Sequence, residues 1–230
     1  MRTPAPLITA LALGALVTPA LSAQTATDLA TVCKAVGDAK VGQWASFDAT
    51  GISYTEVGPS ESGTLRLAAV GSERSGDSTL YWFEVRFSGK DPSHSGVIQI
   101  LTPSLAAGVA TPRAFVIKAG LQPAMKIPGQ MASMVGKNGG EGASALDLAS
   151  RCSGGLVVGW ESVTVPAGTF RSLHMTFEGD AEVWASSEVP FGLIKTRRKG
   201  GGMVLTSHGS DAKSSITEKP LDMGGMMTKP

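Results

Sequence analysis

Between Thr79 and Ser88 the chain alternates without a break, with Tyr81, Phe83, Val85 and Phe87 on one side and Trp82, Glu84, Arg86 and Ser88 on the other. A repeat of two is that of an extended strand, and no helix gathers those four apolar side chains on one face. The segment must therefore lie in a sheet with a buried face. The same short-period pattern recurs at Gln43 to Ala49, Thr64 to Gly71, Gly96 to Thr102 and Ala114 to Lys118. It returns at Leu156 to Val165, Phe170 to Glu178, Ala181 to Ser186, Gly192 to Arg197 and Met203 to His208. Gly and Pro account for 29 and 13 of the 230 residues, above the usual share, as expected for many turns between short elements. Val165-Pro166-Ala167-Gly168 puts Pro second and Gly fourth in a tight turn, so the strands around it form a hairpin. The expectation is an antiparallel meander.

Three stretches carry the helical stripe instead. In Thr27 to Lys40, Leu29, Val32, Cys33 and Val36 fall at i, i+3, i+4 and i+7, with Thr27 or Asp28 as cap and Gly37 as stop. Pro123, Pro128 and Gly129 flank a segment with Met131, Met134 and Val135 on one face. Ala145, Leu148, Ala149 and Cys152 repeat the spacing ahead of Gly154 and Gly155.

The first residues read as an export signal. Arg2 gives the positive start, Leu7 to Val17 the apolar run, and Pro19 precedes small residues up to Ala23, where cleavage is expected, with cleavage after Ala20 or Ser22 as the alternatives. That run is too short to span a bilayer, and no cysteine stands at the cut to take a lipid. The organisation expected is a signal peptide over 1–23, one domain over 24–212 and a mobile tail over 213–230. The destination is the periplasm or the medium, without a transmembrane segment after signal removal. In such an oxidising compartment the two cysteines, Cys33 and Cys152, pair as a disulfide, two buried free thiols being the alternative. The bridge would close a loop of about 119 residues and stabilise by up to roughly 4 to 5 kcal/mol through chain entropy.

Composition and motifs exclude more than they assign. A formal charge of +1 offers no footprint for nucleic acid. Nucleophile-elbow, zinc-protease, Cys-x-x-Cys, dinucleotide and phosphate-loop motifs are missing. Ser210-Asp211-Ala212-Lys213 fits Ser-x-x-Lys without the companion elements of that chemistry. His94, His174 and His208 have no second imidazole at ligand spacing. Met223, Met226 and Met227 suit Cu(I) in type but read first as an ordinary tail. Lys195, Arg197, Arg198 and Lys199 could meet anionic headgroups; the plainer reading is a solvated strand end that resists edge pairing. The expectation is a non-enzyme with no cofactor and no metal.

The run Val163-Thr164-Val165-Pro166-Ala167-Gly168-Thr169-Phe170, with Val183-Trp184 and Glu188-Val189-Pro190-Phe191-Gly192-Leu193-Ile194-Lys195, resembles a pattern in exported bacterial proteins similar to the LolA/LolB-type lipoprotein carriers. The resemblance implies an α+β fold, a strongly curved antiparallel half-barrel with a few short helices on its concave side. It also implies a lipid or other hydrophobic ligand. Residues suited to line a cavity are Tyr81, Phe83, Val85, Phe87, Met131, Met134, Met175 and Phe177, because aromatic and thioether side chains accept varied apolar shapes. The same residues suit a packed core, and a packed envelope protein with a protein partner is the alternative function, with an enzyme as the third reading.

Overall fold

The computed structural model describes residues 19–52, 61–105, 112–129, 149 and 151–223. Within them the chain forms helix α1 (Pro19–Gly37), 3-10 turns at Pro92–His94, Cys152–Gly154 and Pro190–Gly192, helical backbone at Ala149 and Arg151, and twelve strands. These are β1 (Trp44–Ile52), β2 (Glu61–Ser75), β3 (Ser78–Gly89), β4 (Gly96–Thr102), β5 (Ala114–Ala119) and β6 (Met125–Pro128). They continue with β7 (Leu156–Val165), β8 (Gly168–Phe177), β9 (Ala181–Ala185), β10 (Leu193–Arg198), β11 (Gly201–Gly209) and β12 (Leu221–Asp222). Among the described residues no helix is long and apolar enough to cross a membrane.

All twelve strands share one sheet, in the order β12-β6-β5-β4-β3-β2-β1-β11-β10-β9-β8-β7. Two meanders, β1 to β6 and β7 to β11, are therefore sewn together by antiparallel pairing of β1 with β11, from Trp44↔Gly209 to Thr50↔Gly202. Tight turns set the hairpin registers. Gly76 supplies the positive φ of the β2–β3 turn, where Ser75 faces Ser78. Only β12 runs parallel to its neighbour, facing Met125 and Lys126 of β6.

This architecture corrects the expected fold class. The sheet is neither closed nor strongly curled, and strands far outweigh helix, so the half-barrel with helices in its concave side does not describe the chain. The physical reason lies in the motif that suggested it. Pro190–Gly192, the centre of Val189-Pro190-Phe191-Gly192, is a buried 3-10 turn between β9 and β10 that seats α1. Phe191 is 3% exposed with φ of 62°, and a Cβ on Gly192, at φ of 64°, would strike the Val36 side chain. Those residue types are required by one strained turn under a helix, a local need that says nothing of sheet curvature.

One continuous core holds α1 to the sheet. Val32 and Val36 from the helical stripe join Phe47, Leu65, Leu67, Phe83, Val85 and Phe87 of the first meander. Leu173, Met175, Val183, Leu193, Ile194 and Leu205 come from the second. The expected Cys33–Cys152 disulfide ties α1 to the turn before β7, with 5.5 Å between Cα atoms. Residues 1–18 of the expected signal lie outside the described residues, as do Met131, Met134 and most of the expected helix over 145–152.

Candidate functional site

Alternation along β3 sends Phe83, Val85 and Phe87 into the core and Trp82, Glu84 and Arg86 to the opposite face. Register extends that second face: Trp82 is opposite Leu101, Glu84 opposite Gln99 and Arg86 opposite Val97. Val116 and Lys118 of β5 continue it beside Gln99 and Val97. Much of it is apolar, because Leu80, Leu101 and Ala114 cluster with Trp82, while Val116 and Ala124 cluster with Trp82 and Val97. Such a surface needs a cover.

The cover is the chain after β11. Residues 211–222, read from sequence as mostly tail, cross the second face from β1 to β6 as a strap. At its start Trp44 Nε1 donates to Asp211 Oδ1 (2.6 Å), and Ala212 N donates to Gly42 O (2.7 Å). In the middle Gln99 Nε2 donates to Ser214 Oγ (2.7 Å) and to Glu84 Oε2 (2.8 Å), and Ser215 N donates to the same Glu84 oxygen (3.0 Å). Ile216 packs on Val116 and Ala124. Lys118 Nζ meets Glu218 Oε1 at 2.5 Å, and Leu221 N donates to Ala124 O before β12 pairs with β6. Hydrogen bonds from Lys118 and from Trp44 hold the Glu218 and Asp211 carboxyls below the usual carboxylate range. Glu84, the carboxylate at the centre, is 1% exposed.

A second polar cluster spans β7 to β10. The His174 ring stacks on Trp184, with centroids 4.4 Å apart, and its Nδ1 lies 2.8 Å from Glu161 Oε1. Trp184 Nε1 donates to Glu161 Oε2 (3.0 Å). Lys195 and Arg197 lie over the Trp184 ring, and Arg197 also donates to both Glu182 oxygens. Glu161 is held low first by the Trp184 hydrogen bond and then by His174; Glu182 is held low first by Arg197. The basic run is thus engaged at Lys195 and Arg197, and Arg198 donates to Gly51 O.

The same device recurs at every tryptophan of the chain. Trp44, Trp82, Trp160 and Trp184 donate from Nε1 to Asp211, Glu73, Asp28 and Glu161. Their rings carry Arg66, Lys126, Arg171 and the Lys195–Arg197 pair. Each indole is pinned between a cation on its face and a carboxylate at its edge.

The described residues among those expected to line a cavity are buried in or packed against the main core. Phe83, Val85, Phe87 and Met175 are 1%, 4%, 2% and 0% exposed in the main core, with Tyr81 and Phe177 packed against it. Met131 and Met134 lie outside the described residues. Sequence reasoning passed over Glu84, Gln99, Lys118, Ser214, Ile216 and Glu218. The one local signal is Ile216, a lone aliphatic residue inside a polar stretch.

No family model matches the chain, and no curated protein matches it. Among solved structures it is similar to a Bacteroides fragilis protein of YmcC-like fold for which export is inferred. That likeness covers 74% of this chain and 97% of the other, at 10% identity and a TM-score of 0.33. Similarity of that degree carries no inference about this chain.

Proposed function

We propose that the chain is an exported, non-catalytic interaction protein of the bacterial envelope, working in the periplasm or the medium through the surface of a packed sheet. One observation carries the reading: the side chains best suited to an acyl cavity, Phe83, Val85, Phe87 and Met175, are buried against one another and against both meanders. Side chains that fill a core leave no lining for a ligand. Export rests on the Arg2, Leu7 to Val17 and Ala23 pattern, and the cysteine bridge fits an oxidising compartment.

Phe83→Ala separates this reading from a lipid carrier. In a packed core it should cost roughly 3 to 5 kcal/mol in denaturant unfolding, and the purified wild-type protein should show no saturable binding of a fluorescent fatty acid. A small loss of stability together with stoichiometric lipid in native mass spectra would establish the carrier reading instead.

A further inference from the structure

We propose that the second face of β1 to β6 is a binding track for a peptide segment of a partner protein, and that residues 211–222 are its resident, displaceable occupant. The inference rests on the interaction reading above and names its surface. The strap bends at Ser215 and at Glu218, with Ser214 Oγ accepting from Ile216 N (3.1 Å) and donating to Ile216 O (3.0 Å), and this local turn turns Ser214, Ile216 and Glu218 to the sheet. Each meets a matching group: the Gln99 amide, the apolar floor of Val116 and Ala124, and the Lys118 ammonium. Between them the main chain is read by the Glu84 carboxylate at Ser215 N, and farther on by Ala124 O at Leu221 N. The partner chemistry is therefore a small hydroxyl, an aliphatic residue and a carboxylate at positions i, i+2 and i+4 of a segment that can take the strap's bend.

Three features mark the occupant as displaceable. Only Ala212 and Ile216 of the strap are buried apolar residues, each 9% exposed. Its ion pair is partly solvated, with Lys118 29% and Glu218 36% exposed, and its strand β12 is two residues long. The fit is also imperfect, because the Ser215 Oγ is buried without a hydrogen-bond partner. Glu84 adds the complementary sign. An ionisable side chain is costly in the middle of an apolar face, and there its carboxylate accepts the N–H of a crossing chain.

The test is fluorescence polarisation with a labelled peptide of residues 210–223 and the full-length protein, wild type and Ile216→Asp. The substitution places a charge on the apolar floor and loosens the resident strap. The variant should bind the peptide saturably and more tightly than the wild type. A Ser215→Ala peptide, free of the orphaned hydroxyl, should bind at least about fivefold tighter. Lys118→Glu in the same background should weaken binding several-fold, and a Glu218→Lys peptide should restore it. Hydrogen exchange on the wild type adds a reading that needs no variant: strap amides should exchange through local opening, ahead of β3 amides. Strap amides that exchange only with global unfolding, or a folded Ile216→Asp protein that binds no peptide, would overturn the track. Fatty-acid binding in a protein that also binds the peptide would overturn the interaction reading alone.

Discussion

Four hydrogen-bonded carboxyls make the protein's response to acid a residue-scale property. Glu161, Glu182, Asp211 and Glu218 all have carboxyls held below their ordinary values, chiefly by hydrogen bonds from Trp184, Arg197, Trp44 and Lys118. A carboxyl depressed in the folded state stabilises fully above its unfolded value, here 4.5 for Glu and 3.8 for Asp. That stabilisation is lost as pH falls through the folded value. Denaturant midpoints should therefore hold from neutral pH down to the ordinary carboxylate range and fall below it. Glu161→Gln should flatten part of that fall, because its amide oxygen still accepts from Trp184 but no longer titrates. A midpoint independent of pH down to the acid limit would show that these contacts contribute nothing. The partners were not legible in the sequence, since Asp211 lies 167 positions from Trp44 and Asp28 lies 132 from Trp160. A side-chain contact across a sheet leaves no local trace.

At the scale of elements, legibility followed length and period. β4 and β7 occupy the ranges their alternation predicts, and Val32 and Val36 of the α1 stripe are 1% and 3% exposed, with Leu29 and Cys33 partly buried beside them, whereas the helix begins at Pro19 and passes through the expected Thr27 or Asp28 cap. β6 and β12, four and two residues long, are too short to display a period, and β12 depends on an edge about a hundred positions away. The strap went unread for the same reason: its residues are polar in composition, and their cover function exists only once β3 to β5 present an apolar second face. Alternation in β3 announced one buried face, whereas Glu84 shows that both are covered. The helix itself is fastened three times, by the Cys33–Cys152 bridge, by the turn at Pro190–Gly192, and by the Trp160–Asp28 hydrogen bond. Replacing both cysteines by serine should cost up to about 4 to 5 kcal/mol, the chain entropy of a loop of sequence separation 119. Unfolded, unreduced wild type should titrate no free thiol. Two reactive thiols, or an unchanged denaturant midpoint in the serine variant, would remove the bridge from the stability of the fold.

For the whole molecule the decisive joint is the seam between the meanders. Ladder bonds between β1 and β11 are its backbone, and the core crosses it, with Phe47, Leu65 and Phe83 from one side packed with Leu173, Met175 and Leu205 from the other. Neither meander closes its own hydrophobic surface, so neither should persist when the other unfolds. The seam also admits no bulk at one point, where a Cβ on Gly201 would run into the Thr50 carbonyl. Unfolding of the wild type should thus be a single transition, with calorimetric and van't Hoff enthalpies equal. Gly201→Val should lower the midpoint and raise hydrogen exchange in β3 and β8 together, although neither strand touches the substitution. Exchange confined to β10, β11 and β1, or two resolved calorimetric transitions, would show that the meanders are separate folding units joined only by a strand pair.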